Sequence, residues 1–324
     1  MKAVICRQWA PYTELTIEDI PSPTAAPDEV IIDIKAVGLN FFDTLIVERK
    51  YQIRPELPFS PGGEVAGVIS SIGDHVMDFA PGDRVMAYVS YNGAREQLAV
   101  KAHKVTPIPE NLSYEVAAGL MVTYGTSLHA LRDRAKIKPG ETLAVLGASG
   151  GVGQSAIEIG ISLGARVIAC ASTDAKLAAC KQLGADELLN YSETDLKTEL
   201  KRLTDGKGVD VVYDPVGGDL AEAALRATAW NGRFLVIGFA SGTIPKIPLN
   251  LALLKGCQIV GVFWGEHTER EPEKHYTNLS TLVNLCAKGS ILPRVYKIKP
   301  LNQVIEALDE IAGRRVSGKI ILSV

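Results

Sequence analysis

The stretch ETLAVLGASGGVGQSAIEIGISLGARVIACAS, residues 141–172, decides the fold of this chain. Its apolar run from Thr142 to Leu146 predicts a buried strand, and a row of small residues follows at once. A helical pattern then starts near Val152 and ends at Gly164, before a second apolar run from Val167 to Ala171. The order strand, glycine-rich turn, helix and strand predicts one βαβ unit.

The glycine-rich turn suggests what this unit binds. Glycine lets the backbone approach a pyrophosphate, and the unpaired N–H groups at the start of a helix attract negative charge. Ser149, Gly150, Gly151 and Val152 are therefore the predicted phosphate-binding residues of a dinucleotide site. Ala148 replaces the first glycine of the G-x-G-x-x-G pattern, so the pattern alone also fits a tight turn without a ligand.

The end of the second strand indicates which dinucleotide is preferred. An acidic residue there would bind the ribose hydroxyls of NAD, but this chain has Ser172, with Lys176 one turn later. A hydroxyl and an ammonium group suit the 2′-phosphate of NADPH, and two charge-assisted hydrogen bonds of roughly 1.5 to 3 kcal/mol each favour NADPH over NADH. Asp174 is predicted to be the N-cap of the next helix. The alternative for Lys176 is a solvated helix lysine.

Composition and charge limit the class of protein. The chain has 324 residues, of which 47% are hydrophobic and 22% charged, which predicts a soluble globular protein of two domains. A net charge of −3 and the lack of a basic run argue against nucleic acid as a partner. No apolar stretch has membrane-spanning length and no signal peptide is recognisable, so a cytosolic (cytoplasmic) location is expected. The five cysteines are scattered without a C-x-x-C pair, which predicts reduced, mostly buried thiols.

The chain changes its pattern along its length. Residues 1 to about 110 are short, partly alternating runs separated by turn-rich segments, which predicts a β-barrel-like domain. From residue 142 to 263 strands and helices alternate, which predicts a parallel sheet covered on both faces. Residues 266–276 read as a polar connection. The tail, residues 294–324, is not a further βαβ repeat and is expected to return to the first domain.

Eight segments spread over the whole chain match the pattern of one family. They are LNFFDT (39–44), PFSPGGEVAGVI (58–69), PGDRV (81–85), TYGTSLHAL (123–131), KPGETLAVLGASGGVG (138–153), YDPVGG (213–218), VIGFASG (236–242) and SGKIILSV (317–324). In these segments the chain resembles the zinc-free, zeta-crystallin-like quinone oxidoreductases of the medium-chain dehydrogenase/reductase superfamily. The resemblance implies an α/β protein with a GroES-like β-barrel domain (1–122 and 266–324) and a Rossmann domain with a doubly wound parallel sheet (123–265). It also implies a homodimer and an active site in the cleft between the domains.

The resemblance assigns roles to single residues as well. Asn40 and Asp43 would lie near the nicotinamide and the substrate, although a turn and helix cap also fits them. Tyr51 matches a pocket tyrosine that hydrogen-bonds an acceptor oxygen or supplies a proton, and a packing tyrosine is the alternative. Thr126 matches a threonine that contacts the cofactor, unless its hydroxyl bonds its own helix backbone. Tyr191 matches a tyrosine that helps to hold the 2′-phosphate.

Two more segments end strands at the carboxyl edge of the predicted parallel sheet, where open α/β sheets bind ligands. Gly238, Phe239 and Ala240 are expected to contact the cofactor there. Phe263 and Trp264 end the last strand of this sheet, and they either line the nicotinamide pocket or pair across a dimer sheet.

Zinc is not expected in the active site, and no metal-binding residue is predicted. Relatives that use zinc carry a histidine at the position of Gly63, and a zinc site needs three or four Cys, His or carboxylate ligands. The five histidines are His75, His103, His129, His267 and His275. None of them is expected in a cluster with a cysteine, and each is interpreted as a surface residue or a satisfied polar residue.

Three functions remain open for such a protein. The first is reduction of a quinone by NADPH, because hydride delivery without a metal needs an acceptor that spreads the arriving charge onto oxygen. The second is reduction of the C=C bond of an α,β-unsaturated carbonyl, with a proton donor such as Tyr51. The third is an NADPH-binding protein without relevant catalysis. Leu45 replaces a tyrosine of some family members in the expected substrate pocket, so the substrate is the most open of these predictions.

Overall fold

The computed structural model describes all 324 residues. The chain forms two compact units, the first from Met1–Val122 and Thr281–Val324, the second from Thr123–Ser280. The strands are, in chain order, β1 (Lys2–Ile5), β2 (Thr16–Asp19), β3 (Glu29–Leu39), β4 (Glu64–Ile72), β5 (Arg84–Tyr88), β6 (Gln97–Lys101), β7 (Val105–Pro107), β8 (Thr142–Leu146), β9 (Arg166–Ala171), β10 (Glu187–Asn190), β11 (Val209–Asp214), β12 (Thr228–Val236), β13 (Gln258–Gly261), β14 (Val295–Pro300) and β15 (Lys319–Ser323).

The helices are α1 (Phe41–Ile46), α2 (Tyr114–Ala117), α3 (Met121–Leu128), α4 (Gly151–Ser162), α5 (Asp174–Gln182), α6 (Leu196–Arg202), α7 (Asp219–Arg226), α8 (Asn250–Lys255), α9 (Trp264–Arg270), α10 (Pro272–Ala287) and α11 (Val304–Ala312). A π-helical segment, His129–Arg134, directly continues α3. Such a segment widens the helix by one residue per turn, and π-bulges are frequent at functional sites.

The first unit is built on a seven-stranded sheet in the order β14-β15-β3-β4-β5-β7, with β6 also paired to β3. The long strand β3 lies at its centre, antiparallel to β4, β6 and β15. Its inward residues Ile32 and Ile34 are buried together with Phe59 and Ile320 in one apolar core. The tail of the chain thus returns to the first unit, and the expected GroES-like domain is confirmed.

The second unit contains a six-stranded sheet in the order β10-β9-β8-β11-β12-β13, in which every neighbouring pair is parallel. This is the strand order of a doubly wound Rossmann sheet, so that prediction is confirmed. After β8 the chain forms β9 on one side of that strand, and it later forms β11 on the other side of β8. In such sheets the ligand binds at the carboxyl ends of the two strands that flank this switch point.

The stretch interpreted as a polar connection, residues 266–276, is helical, so that interpretation was wrong. It contains most of α9 and the beginning of α10. The error has a physical cause, because most of its residues face solvent and only a few, such as His267 and His275, are buried. Glu266 and Arg270, one helical turn apart, form an ion pair of 2.7 Å on the exposed face.

The second boundary between the units also differs from the expected one. It was expected after residue 265, but the second unit extends to Ser280. The reason is that α9 and the first part of α10 pack on α3 and the π-helical segment. Asn278, for example, donates a hydrogen bond of 2.8 Å to the carboxylate of Asp133.

The cysteines behave as predicted, since all five are free thiols and four are buried. None of the helices combines the length and apolar character that crossing a lipid bilayer requires. The cytosolic location stays a prediction.

Candidate active site

The glycine-rich turn lies between β8 and α4, at the carboxyl edge of the parallel sheet. Gly147 has a φ of +57°, which favours glycine. A Cβ on Gly153 would lie 2.4 Å from the carbonyl oxygen of Gly147, so the turn and the helix can approach each other only without a side chain there. Ser149 and Gly150 precede the twelve-residue helix α4, and Gly151 and Val152 begin it. The predicted phosphate-binding residues therefore lie at the positive end of a helix dipole.

The residues predicted for the 2′-phosphate come together at the same edge of the sheet. Ser172 directly follows β9, and Lys176 lies in the first turn of α5 with its Nζ 3.2 Å from Ser172 Oγ. Tyr191 directly follows β10. Because Asn190 and Ala171 are paired in the sheet, Tyr191 and Ser172 leave neighbouring strands side by side. The hydroxyl and the ammonium group thus lie within hydrogen-bond distance of each other, and Tyr191 starts from the neighbouring strand.

The N-cap prediction for Asp174 was wrong by one residue. Thr173 caps α5, since its backbone is extended and its hydroxyl accepts a hydrogen bond of 3.3 Å from the backbone N–H of Lys176. Asp174 is the first residue of the helix, and its carboxylate accepts a hydrogen bond from the side chain of Asn190 at 3.0 Å. This bond ties α5 to the end of β10, next to Tyr191.

The remaining predicted cofactor residues of the second unit lie on three other segments. Gly238, Phe239 and Ala240 follow β12 and are held to the end of β11, since Ala240 N donates to Pro215 O at 3.0 Å. Thr126 is a buried residue of α3. Cofactor contacts by these residues stay predictions.

Phe263 and Trp264 have different environments although they are neighbours. Phe263 is 46% exposed, whereas Trp264 is only 5% exposed. The Trp264 ring covers Gly125, where a Cβ would lie 2.7 Å from ring atom Cζ2. It also meets the ring of His275 edge to face, with 5.6 Å between the centroids. These contacts pack α9 against α3 and α10, which accounts for the burial of Trp264 without a ligand.

In the first unit, Asp43 connects two of the segments that carry the resemblance. Its buried carboxylate accepts one hydrogen bond from the backbone N–H of Asn40 at 2.7 Å and another from that of Gly62 at 2.8 Å. Burial raises the pKa of Asp43 to about 7, although these two N–H donors act in the opposite direction. Asp43 thus caps α1 and holds the loop before β4. This geometry fits the helix-cap alternative, and a place of Asn40 and Asp43 near the nicotinamide stays a prediction.

The side chain of Asn40 is held by a buried ion pair. Its Nδ2 donates to Glu64 Oε1 at 2.9 Å, and its Oδ1 accepts from Lys319 Nζ at 2.7 Å. Lys319 Nζ in turn lies 2.5 Å from Glu64 Oε1, and donates to the backbone oxygen of Leu39 at 2.9 Å. The second Glu64 oxygen accepts from the backbone N–H of Val122 at 3.0 Å. The amide of Asn40 is therefore fixed in one orientation.

Tyr51 lies at the edge of the same group of residues. Its ring stacks on Phe42 with 5.4 Å between the centroids and 21° between the planes. Burial, and after it the charge of Asp43, raises the pKa of Tyr51. A raised pKa makes the phenol a weaker acid, so Tyr51 is less suited to transfer a proton. The pKa of Tyr88 is also raised by burial, and sequence reasoning did not single out this residue.

Relatives that use zinc carry a histidine at the position of Gly63, and in this chain neighbouring atoms fill the space that a side chain would need there. A Cβ on Gly63 would lie 2.6 Å from Phe42 Cζ and 3.0 Å from the carbonyl oxygen of Ser90. Real Cβ atoms essentially never approach another heavy atom within 3.0 Å, so even a methyl group would require Phe42 to move. The residues at this position therefore do not fit a catalytic zinc ion.

The interpretation of the histidines was wrong for His267. His129, His267 and His275 are all buried in the second unit, and the rings of His129 and His267 are stacked. His267 is neither on the surface nor satisfied, because neither of its ring nitrogens has a hydrogen-bond partner.

Comparison with known proteins supports one family over the whole chain. Residues 26–126 match the alcohol dehydrogenase GroES-like domain, and residues 151–281 match the family described as zinc-binding dehydrogenase. Quinone oxidoreductase-like protein 2 of Rattus norvegicus is 36% identical over 323 residues, which are 99% of this chain and 92% of that protein.

Two solved structures are similar over nearly the full length. The quinone oxidoreductase of Escherichia coli, complexed with NADPH, has a TM-score of 0.94 and 29% identity, and all of both chains is covered. The CurK enoyl reductase has a TM-score of 0.90 and 25% identity, with 99% of this chain and 98% of that chain covered. The chain therefore belongs to the medium-chain dehydrogenase/reductase superfamily and, within this superfamily of oxidoreductases, to the zinc-free quinone oxidoreductase family.

Proposed function

We propose that the protein reduces quinones with NADPH and without a metal in its active site. The observation that carries the proposal is the closed position at Gly63, where Phe42 occupies the space that a zinc-ligating side chain needs. An enzyme that cannot polarise an alcohol or a carbonyl with zinc depends on an acceptor that takes a hydride readily. A quinone is such an acceptor, because its ring spreads the arriving charge onto oxygen.

NADPH is the proposed cofactor because the chain offers complementary groups for both of its anionic parts. The start of α4 presents backbone N–H groups without obstructing side chains, which suits the pyrophosphate. Ser172 and Lys176, 3.2 Å apart, and the neighbouring Tyr191 offer three donors to a 2′-phosphate, and no acidic residue takes the position of Ser172. The NADPH complex of the similar Escherichia coli enzyme supports the same assignment.

The protein contributes orientation and hydrogen bonding to the reaction. Bound NADPH would supply the hydride, and a proton from water completes the hydroquinone. Tyr51 is proposed to donate a hydrogen bond to the quinone oxygen on which charge develops. Lys319, Glu64 and Asp43 position the Asn40 segment through buried contacts.

The test uses chelator-stripped protein, NADPH or NADH, and an ortho-quinone. We expect quinone-dependent loss of NADPH absorbance that survives chelation and prefers NADPH. Tyr51→Phe should lower kcat for the quinone by about tenfold or more, which is the size of effect expected for one positioned hydrogen-bond donor. Tyr296→Phe, a change in a tyrosine outside the site, serves as the matched control. The absence of any quinone turnover contradicts the proposal, and tight NADPH binding in that case favours a protein without relevant catalysis.

Reduction of an α,β-unsaturated carbonyl is the second candidate. The structural similarity to the CurK enoyl reductase favours it. A 2-enal, assayed beside the quinone, separates the two candidates. A rate with the enal far above that with the quinone would assign the protein to the alkene reductases.

A homodimer is proposed as the working state. Strand β13 lies at the open edge of the parallel sheet, where its outer backbone groups have no partner strand. Large apolar side chains are exposed beside it, among them Trp230 at 71%, Leu253 at 77% and Ile259 at 40%. An apolar edge strand is a template for a second strand, so a second copy of this chain is the proposed occupant.

A further inference from the structure

Two helical segments of the second unit each carry a histidine and an acidic residue that lie close to those of the other segment. The π-helical segment carries His129 and Asp133, and α9 together with the residue after it carries His267 and Glu271. Both pairs are four residues apart, a spacing that places two side chains on one face of a helix. The donor atoms of His129, Asp133 and His267 all lie within 4.8 Å of one another. Glu271 Oε1 lies 3.4 Å from His267 Nδ1.

His267 is the member of this group whose contacts are incomplete. It is buried, and neither Nδ1 nor Nε2 makes a hydrogen bond. Its neighbour His129 is satisfied, because its Nδ1 lies 3.0 Å from Asp133 Oδ2. A buried imidazole that makes no hydrogen bond loses its hydration, and only the 3.4 Å contact of Nδ1 with Glu271 compensates, so a ligand that engages one of its nitrogens is favoured.

A cationic side chain already lies between the two carboxylates of the group. Lys274 Nζ is 3.9 Å from Asp133 Oδ1 and 3.6 Å from Glu271 Oε2. Its side chain is 45% exposed, so the ammonium group can move into solvent. The charges of the group are therefore arranged around a cation, and Lys274 is in a position to compete with a metal ion.

We propose that His129, Asp133 and His267 bind a zinc-type divalent cation, with Glu271 or a water molecule as the fourth ligand. Two imidazoles and one or two carboxylates are a suitable donor set for Zn²⁺, which prefers four ligands in a tetrahedron. Bonds of about 2.0 to 2.1 Å hold neighbouring donor atoms about 3.4 Å apart, so the most widely separated pair approaches by up to about 1.4 Å on binding. The site lies within the second unit and uses none of the residues proposed for hydride transfer.

Binding requires one defined side-chain movement. The rings of His129 and His267 are stacked, with 3.7 Å between the centroids and 14° between the planes. A nitrogen lone pair lies in the plane of its ring, so two parallel rings cannot both point at one ion. His267 must therefore turn out of the stack, and no hydrogen bond opposes this rotation. The bound ion would fasten α9 to the π-helical segment.

The test is a titration of the chelator-stripped, full-length protein with Co²⁺, followed by visible absorption, and competition with Zn²⁺. We expect one ion per chain. His267→Phe keeps an aromatic ring in the stack but removes both nitrogens, and should weaken binding by at least about tenfold. Lys274→Gln removes the competing ammonium group and should tighten binding. His75→Phe makes the same change at an exposed histidine and should bind like the wild type.

Two results would overturn the proposal: no saturable binding by the wild type, or equal affinity of the wild type and His267→Phe. Thermal unfolding of each variant, measured without metal, shows whether it is folded. If His267→Phe does not fold, Lys274→Gln decides, because unchanged affinity in that variant also contradicts the site. Zn²⁺ should raise the Tm of the wild type and of His75→Phe but not that of His267→Phe.

Discussion

Lys319 donates a hydrogen bond of 2.7 Å to Asn40 across 279 residues of sequence. The pairing of β15 with β3 brings them together, since Ile320 lies opposite Leu39 in the sheet. The same ammonium group forms an ion pair with Glu64, in which the lysine side chain is 5% and the glutamate side chain 0% exposed. The last strand of the chain therefore sets the orientation of a candidate site residue near its beginning.

We expect Lys319→Met to lower the free energy of unfolding by about 3 to 5 kcal/mol, because it leaves the buried carboxylate of Glu64 without its cation. Urea denaturation followed by circular dichroism measures the change. The double variant Lys319→Met/Glu64→Gln removes both charges and should recover part of the loss. If the double variant loses as much as the two single variants together, the ion pair is not the cause.

The Lys176→Ala variant should bind NADPH about tenfold to a hundredfold more weakly, which is the loss of one charge-assisted hydrogen bond, with little change for NADH. Fluorescence titration with both cofactors measures the two affinities. Lys181→Ala removes a lysine from the exposed side of the same helix and is the matched control. Equal losses for NADPH and NADH would rule out a contact between Lys176 and the 2′-phosphate.

Because of Asp43, the free energy of unfolding should fall as the pH rises from about 4 to about 7. Its pKa is about 7 in the folded protein, against about 3.9 in an unfolded chain, so the folded state binds more protons in this range. The contribution of Asp43 to the free energy of unfolding is complete below about pH 4 and is lost as the pH rises through the folded pKa. This contribution is at most about 4 kcal/mol.

The non-titrating variant Asp43→Asn isolates this effect from the other acidic groups. The difference in unfolding free energy between the wild type and Asp43→Asn should shrink as the pH rises from 4 to 7. A difference that is constant over this range would mean that Asp43 keeps an ordinary pKa in the folded protein.

Gly63→Ala should cost about 1 to 3 kcal/mol of unfolding free energy, because the added methyl group forces the Phe42 ring or the Ser90 backbone to shift. The double variant Gly63→Ala/Phe42→Leu frees this space, so its loss should be smaller than the sum of the two single losses. Strictly additive losses, measured by urea denaturation, would show that the methyl group does not meet the ring.

Ile259→Lys should shift the protein from dimer to monomer, because it places a charge in the middle of the proposed edge-strand interface. Light scattering after size-exclusion chromatography measures the mass at several concentrations. Met77→Lys changes an exposed residue of the first unit and should leave the mass unchanged. A wild-type protein that is monomeric at all concentrations contradicts the homodimer.

The sequence was most informative where structure depends on neighbouring residues. The strand, turn and helix around Gly147 are set by local hydrophobic spacing and by glycine, so the Rossmann unit and the place of Ser149–Val152 follow from the sequence. The contact between Ser172 and Lys176 is also local. The two residues are four positions apart at the start of α5, a spacing that brings their side chains within hydrogen-bond distance.

The sequence was least informative where the decisive contact is long-range. Lys319 is a single lysine that begins the apolar strand β15. Only the pairing of β15 with β3 reveals that Glu64 is the partner of this lysine. That lysine in the motif SGKIILSV was the one available signal, since a charge beginning a buried strand needs a partner. His129 and His267 are equally remote in sequence, so their stacking depends on a tertiary contact that no local pattern contains.

The contact between Gly63 and Phe42 also bears on how such a chain can evolve. A histidine at position 63 would need a smaller residue at position 42. The first change alone collides with the ring, and the second alone leaves a hole in the packing. Either change alone is expected to lower the free energy of unfolding, so the two positions are expected to change together.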